Sequence, residues 1–239
     1  ADGGITVPVI PGPAVGSLNF VVSNAGDVNG DGLGDFIVGA PEEAGPNGAN
    51  SGGAYVVYGN TAGIFPVLSS GTNATGTGAS IAYESGNNLG DLTAPAGGFK
   101  ILGPTAANGY FAYSVSGVGD VNGDGYSDFA INSSGSKAAF VVYGGSRNDQ
   151  TFDISAGTIE GTRGYKLPPL GSHWENVVSG AGDVNGDGLA DIIVSDYSDT
   201  TATYGTDRDG RAVVIYSNAA GTVPTDLNNI AASQGFKIT

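Results

Sequence analysis

One acidic, glycine-rich loop occurs three times in the chain, and its residue types are those of a cation site. The first copy reads DVNGDGLGD from Asp27, and the other copies begin at Asp120 and Asp183. Positions 1, 3, 5 and 9 carry side-chain oxygens and position 7 offers a backbone carbonyl, and Ca²⁺ takes about six to eight oxygen ligands. The glycine at position 6 tolerates the positive φ of a sharp reversal. The predicted ligands are Asp27, Asn29, Asp31, Leu33 and Asp35; Asp120, Asn122, Asp124, Tyr126 and Asp128; and Asp183, Asn185, Asp187, Leu189 and Asp191, with position 7 acting through its carbonyl.

The balance of charge in the chain favours cation binding. There are 23 acidic and 8 basic residues, and the formal net charge is −15. Three dications carry six positive charges, so they would bring the net charge to −9 and relieve repulsion among the loop carboxylates. The same acidity disfavours nucleic acid and anionic membrane surfaces as partners. Solubility or a saline habitat is the alternative explanation of this composition.

Other interpretations of the loop also have to be weighed. EF-hand and dockerin loops begin with the same D-x-N-x-D-G, but they need an acidic twelfth residue and a following helix. Here the twelfth residues are Val38, Ile131 and Val194, each inside an apolar run that is typical of a strand. A metal-free Asx turn would use the same residue types. Mg²⁺ is disfavoured relative to Ca²⁺ because it demands stricter octahedral geometry.

The loops belong to a longer repeat that must position them. Their first aspartates are 93 and 63 residues apart. Each loop is followed by two further landmarks: AYVVYG (54–59) and GFKILG (98–103), AFVVYG (139–144) and GYKLPP (164–169), AVVIYS (212–217) and GFKIT (235–239). Short β-branched or aromatic runs bounded by Gly, Pro, Asn or Ser predict strands, four in each unit. Four-stranded units that recur at about 60 residues predict an all-β fold built of antiparallel β-propeller blades.

The predicted domain is one propeller segment over 1–239, with blade units at about 16–103, 109–168 and 173–239. In the first unit the predicted strands are 17–25, 35–39, 54–59 and 98–102, with the acidic loop between the first two. The segment from Gly59 to Gly98 is interpreted as a surface excursion with room for a small hairpin. Residues 1–15, which include GITVPVI (4–10), are interpreted as the last strand of a preceding blade or a linker.

Three blades are fewer than the roughly four to eight that close a propeller. We therefore expect either a segment excised from a longer propeller or closure by a second chain, for example a twofold dimer. The chain has no methionine, so we expect that Ala1 is not a retained translation start and that the chain is processed or excised. It has no cysteine, which excludes disulfides and thiol chemistry. It has no run of about 18 apolar residues for a membrane span.

The loops and their spacing resemble FG-GAP repeats, the blades of the integrin α-chain N-terminal β-propeller and of many secreted bacterial proteins. The resemblance covers nearly the whole chain and implies a calcium loop between the first and second strands of each blade. The name-giving GAP is intact once, at Gly39, Ala40 and Pro41; its counterparts read NSS at 132–134 and SDY at 195–197. The FG positions hold Leu18-Asn19, Phe111-Ala112 and Trp174-Glu175, and of these only Phe111 fits the family pattern.

Residues outside the loops offer weaker chemistry. His173 beside Trp174 and Glu175 could act as a general base, but the apolar FG position of Trp174 favours a structural role. The acidic run at 195–211, and Glu42 with Glu43, could hold paired carboxylates for glycoside cleavage or form a recognition loop, and solvated turns are the simpler interpretation. The sequons at Asn73 and Asn132 are attributed to chance, and Tyr58, Tyr143 and Tyr216 to packing between blades.

The resemblance implies a non-catalytic, calcium-binding module with three Ca²⁺ ions, secreted to the cell surface or the extracellular space. Its expected role is cell adhesion or surface assembly, with a protein or glycan ligand as partner. Two alternatives are the propeller part of a secreted hydrolase that acts on polysaccharide or lipid, and a structural spacer in a long repetitive surface protein.

Overall fold

The computed structural model describes residues 19–43, 49–59, 61, 68–72, 79–83, 97–104, 109–146, 151–154, 159, 163–170, 177–196, 210–219 and 221–238. The described elements are short strands and a 3₁₀ turn at Leu227–Asn229. The strands are β1 (Val21–Gly26), β2 (Asp35–Ala40), β3 (Gly53–Val57), β4 (Leu68–Thr72), β5 (Ala79–Tyr83), β6 (Gly98–Leu102), β7 (Phe111–Gly119), β8 (Asp128–Ser133), β9 (Ala138–Val142), β10 (Thr151–Asp153), β11 (Gly164–Lys166), β12 (Val177–Gly182), β13 (Asp191–Asp196), β14 (Arg211–Ile215) and β15 (Gly235–Ile238).

Twelve of these strands form three four-stranded blades, and the predicted all-β propeller architecture is confirmed. The first blade has the order β1-β2-β3-β6, the second β7-β8-β9-β11 and the third β12-β13-β14-β15. Neighbouring strands within each blade are antiparallel. The second blade packs against both others through β7, which contacts β1 and β12, so that the three described blades form an open arc.

One strand lies where the sequence did not predict it. β10 comes from the connection between β9 and β11 of the second blade, yet it pairs in parallel with β6 of the first blade. The first sheet therefore has five strands rather than four. Phe152 of β10 and the following Ile154 are buried in the core between the two blades. The connection of one blade thus covers the outer edge of its predecessor.

The segment from Gly59 to Gly98 contains a hairpin, which agrees with its interpretation from the sequence. β4 and β5 pair antiparallel and form a two-stranded sheet of their own. Predictions for the strand at 4–10, for the FG positions Leu18 and Trp174, for His173 and for the sequon at Asn73 fall outside the described residues.

The core explains why the strands of the second blade are apolar on both faces. Successive side chains of a strand point to opposite faces. Phe129 and Ile131 of β8 lie in the cluster shared with the first blade, whereas Ala130 between them lies in the cluster shared with the third. In β9, Phe140 and Val141 divide in the same way. A blade between two neighbours therefore buries both faces.

A glycine with positive φ opens the fourth strand of each blade. These residues are Gly98, Gly164 and Gly235, with φ values of 126°, 138° and 149°. A Cβ at any of them would overlap the carbonyl oxygen of the adjacent third strand, at Val56, Val141 and Val214 respectively. The backbone conformation and the close approach together explain the glycine of the repeated Gly-aromatic-Lys landmark.

The part of the chain that the structure describes contains no helix long and apolar enough to cross a membrane.

Candidate cation loops

Each acidic loop connects the first and second strands of its blade, where the sequence placed it. The loops begin directly after β1, β7 and β12, and their ninth residues are the first residues of β2, β8 and β13. The strand register shifts just before each loop, at Gly26, Gly119 and Gly182. These glycines have φ values of 72–80°. Because a bulge with a glycine in this conformation bends the strand, the chain turns from the ladder into the loop.

The first residue of each loop organises the turn. The carboxylate of Asp27 accepts hydrogen bonds from the N–H groups of Gly30 at 2.7 Å, Asp31 at 3.0 Å and Gly32 at 2.8 Å. Asp120 and Asp183 accept the corresponding three bonds at 2.7–3.2 Å. The converging amides create a local positive potential that holds the carboxylate in place. All three loops therefore share one geometry.

The third and fifth residues form Asx turns within the same loop. Asn29 Oδ1 accepts from the Asp31 N–H at 3.0 Å, and Asp31 Oδ1 accepts from the Leu33 N–H at 2.8 Å. The Asn29 amide also donates to Asp31 Oδ2 at 2.9 Å. The glycines at positions 4 and 6 both have positive φ, 77° and 85° in the first loop. Sequence reasoning explained only the glycine at position 6.

The ninth residue has a role that sequence reasoning missed. Asp35, Asp128 and Asp191 are buried, with at most 2% of their surface exposed. Asp35 accepts from the N–H of Val28 in its own loop and of Gly59 after the third strand, both at 2.8 Å. The equivalent donors are Val121 and Gly144 for Asp128, and Val184 and Ser217 for Asp191. This aspartate joins the loop to the third strand of its blade.

Burial affects the ionisation of these inner carboxylates. Removal from water raises the pKa of Asp35 above its ordinary value, and backbone hydrogen bonds from Gly59, Val28 and Asn29 oppose that shift. The same desolvation raises the pKa of Asp128 to about 7, although Gly144 and Val121 donate to it and lower it. A nearby cation favours the ionised form of a carboxylate. A dication in the loop would therefore favour the ionised form of Asp128.

The donors in each loop fit a hard cation in chemistry. Carboxylate, amide and carbonyl oxygens are the ligands that Ca²⁺ prefers. Each carboxylate oxygen has two lone pairs, so the backbone hydrogen bonds leave further acceptor capacity on the Asp residues. As they stand, the described residues contain no group of three or more acidic, histidine or cysteine side chains arranged around a common point that could hold a metal. The carboxylate of the ninth residue instead faces two backbone N–H groups.

No helix follows any of the three loops. The twelfth residues Val38, Ile131 and Val194 lie inside β2, β8 and β13, and all three are buried. The EF-hand and dockerin alternatives, which require a helix after the loop, do not fit this geometry.

The described residues outside the loops also include a buried polar cluster. Glu43 accepts from the Tyr55 hydroxyl at 2.6 Å and from Lys100 Nζ at 2.7 Å. Lys100 Nζ also lies 5.0 Å from the centre of the Tyr55 ring. Burial, and then the charge of Glu43, raise the pKa of Tyr55 far above its ordinary value. Pairing and hydrogen bonds of this kind stabilise a buried charge, so Glu43 has a structural role in the first blade.

Two other sequence interpretations can be compared with the structure. Asn132 of the second sequon lies in β8 and is fully buried, which does not suit a surface glycan acceptor. Tyr58 and Tyr143 are buried in the two clusters between blades, as predicted. Tyr216 is partly buried and lies 6.2 Å from the Phe236 ring of its own blade.

Two segments of the chain match a known family of repeats. Residues 21–57 and 111–148 each match the FG-GAP repeat family. These two segments contain the first and second loops with the strands on either side of them. The third loop, from Asp183 to Asp191, has the same hydrogen bonds and the same position between the first two strands of a blade.

Two curated proteins are similar to most of the chain. Integrin alpha-4 of Xenopus laevis is 26% identical over 195 residues, which cover 80% of this chain and 15% of the integrin. Phosphatidylinositol-glycan-specific phospholipase D of Homo sapiens is 29% identical over 189 residues, which cover 74% of this chain and 18% of the phospholipase. The chain therefore spans less than a fifth of the length of these relatives.

Proposed function

Because this chain carries FG-GAP repeats, we propose that it is a calcium-binding β-propeller module of an extracellular protein, with a non-catalytic role in adhesion or surface assembly. The observation that carries the proposal is the threefold recurrence of one oxygen-rich loop in one position of the blade. The residues that would hold the ions are the first, third, fifth and ninth residues of each loop, with the carbonyl of the seventh.

An extracellular setting suits loops of this kind. Calcium sites of extracellular modules have dissociation constants on the order of 10⁻⁴ to 10⁻³ M, and millimolar calcium fills them. A bound dication would offset the carboxylate charge of each loop and stabilise the folded chain by mass action. The ninth residue then transmits that stabilisation, since Asp35, Asp128 and Asp191 are hydrogen-bonded to the ends of the third strands.

The cation proposal is tested by counting bound ions. Equilibrium dialysis in millimolar calcium is expected to give three ions for the intact chain and two for each of Asp31→Ala, Asp124→Ala and Asp187→Ala. Asp226→Ala is the matched control: Asp226 is an exposed aspartate that caps the 3₁₀ turn outside the loops, and its removal should leave three ions. A chain that binds no calcium at millimolar concentration would contradict the proposal.

The adhesion role is supported by the similarity to integrin alpha-4. The ligand expected is a protein or a glycan at a cell surface, because the net charge of −15 disfavours polyanions. The labelled chain should bind such ligands on a glycan array or on immobilised cell-surface protein in the presence of calcium, and a chelator should release it. Equal binding with and without calcium would show that adhesion does not depend on the proposed ions.

The similarity to a phospholipase D favours a second candidate, the propeller part of a hydrolase that acts on lipid or polysaccharide. The two candidates differ in whether the chain itself turns over substrate. Incubation of the purified chain with a phosphatidylinositol glycan and with polysaccharides, in calcium, should release no product if the module is non-catalytic. Turnover by the chain alone would favour the hydrolase.

A further inference from the structure

Contacts between successive loops repeat at both junctions of the three blades. The N–H of Ser127, the eighth residue of the second loop, donates to the carbonyl of Asp27 at 2.9 Å. At the next junction the N–H of Ala190, the eighth residue of the third loop, donates to the carbonyl of Asp120 at 2.9 Å. Each following loop therefore binds the first residue of the loop before it, which is the residue around which that preceding loop is organised.

The seventh residue adds a side-chain contact at the same junctions. A Cβ on Gly30 would overlap the ring of Tyr126, and a Cβ on Gly123 would lie 3.1 Å from the Leu189 side chain. Gly30 and Gly123 are the fourth residues of their loops. The glycine at this position thus provides both a positive φ and space for the seventh residue of the following blade.

These contacts change how deeply each loop is buried. Val28 and Val121, the second residues of the first two loops, are 0% and 2% exposed. Val184, at the same position in the third loop, is 47% exposed. The first two loops are covered by a following loop, and the described residues place no such loop over the third. The environment of a loop therefore depends on the blade that comes after it.

We propose that the seventh and eighth residues of the second and third loops are positioning residues for the cation site in the preceding blade. This inference rests on the proposed calcium sites. Since Asp27 is both the organiser of its loop and the residue held by Ser127, the second loop fixes the conformation that the first needs for its ion. The coupling has a direction, from each blade to the one before it.

One difference between the two junctions, a hydroxyl group, makes the coupling testable. Ser127 Oγ accepts a hydrogen bond from the Asp27 N–H at 3.1 Å, in addition to the backbone bond. Ala190 occupies the equivalent position at the second junction and has no hydroxyl group. Removing the hydroxyl at the first junction should weaken the first site, and adding one at the second junction should strengthen the second site.

The experiment uses chains that retain one active loop. In an Asp124→Ala/Asp187→Ala chain, which keeps the first loop, Ser127→Ala should lower the calcium affinity by roughly two- to tenfold, as expected for one hydrogen bond. Ser127→Thr keeps a hydroxyl and should retain the affinity. Ser116→Ala, the same substitution in β7 of the same blade, is the matched control. In an Asp31→Ala/Asp187→Ala chain, Ala190→Ser should raise the affinity of the second loop by a similar factor.

The readouts are calorimetric titration with calcium and hydrogen exchange of the Gly30, Asp31 and Gly32 amides in the metal-free chain. Faster exchange at these amides in Ser127→Ala, with its lower affinity, would support the inference. Unchanged affinity in both Ser127→Ala and Ala190→Ser, in chains that still bind calcium, would overturn it and leave the proposed function intact. No binding by either single-loop parent would overturn the proposed function, and the inference with it.

Discussion

Asp35, Asp128 and Asp191 show how one residue type serves two purposes at one position. Each is buried and accepts backbone N–H groups from its own loop and from the chain after the third strand. The side chains of the first, third and fifth residues form hydrogen bonds only within their own loop in the contacts described above. The ninth residue is therefore the member of the proposed ligand set that also holds the blade together without metal.

This division predicts different costs for two substitutions in the second loop. Asp128→Ala removes the partner of two backbone N–H groups, so in chelator it should lower the free energy of unfolding by about 2–4 kcal/mol. Asp124→Ala, at an exposed position, should have a smaller effect in chelator and a larger one in calcium. Denaturant unfolding of both variants in both conditions measures the four values. Equal losses in chelator would contradict the structural role of Asp128.

Ala112 occupies the glycine position of the FG pair and has φ 65°. A non-glycine residue in this left-handed region is strained, and Ala112 follows the fully buried Phe111. The structure thus explains why glycine suits this position. Ala112→Gly should raise the free energy of unfolding by up to about 1 kcal/mol, since relief of the strain exceeds the entropic cost of glycine. Thermal unfolding checks the sign, and a lower melting temperature would contradict it.

At the scale of elements, β10 shows how the blades are joined at their outer edge. It pairs with β6 through Thr151–Asp153, and Phe152 packs into the core between the first two blades. A sheet edge left open presents unpaired backbone groups, which proteins usually cover. The third blade follows a related arrangement, because Leu227 of its 3₁₀ turn is buried in the cluster shared with the second blade.

Removal of one side chain tests whether β10 secures the first blade. Phe152→Ala should cost about 3–5 kcal/mol, the usual range for a buried phenylalanine. It should also speed hydrogen exchange at the β6 amides more than at those of β15 in the third blade. Val177→Ala, an exposed apolar position in β12 of the third blade, is the control. Equal exchange of β6 in the variant and the parent chain would contradict the role given to β10.

The sequence predicted the strands of the blades well because their signals are local. β-branched runs bounded by turn residues identified the second, third and fourth strands of the first blade to within about two residues, and the loop spacing identified the repeat. β10 was missed because Thr151–Asp153 is only three residues long and pairs with a strand about fifty residues earlier in the chain. The hydrogen bond that joins Asp35 to the chain after the third strand was missed for a similar reason, since its partner Gly59 lies 24 residues away.

At the scale of the whole molecule, the loops form a continuous seam along one end of the blades. Asp27 and Ser127 join the first two loops, and Asp120 and Ala190 join the second and third. With a net charge of −15, the folded chain gathers nine loop carboxylates along this seam. Their mutual repulsion opposes folding, and bound dications would offset it. Cation binding and blade packing are thus expected to stabilise each other.

The most direct measurement is an anomalous difference map from crystals of the intact chain grown in saturating calcium. We predict a peak in each of the three loops, within about 2.3–2.6 Å of the side-chain oxygens at positions 1, 3, 5 and 9 and of the carbonyl oxygen at position 7. Loops without peaks in crystals that diffract well enough to show calcium elsewhere would contradict the proposed cation sites.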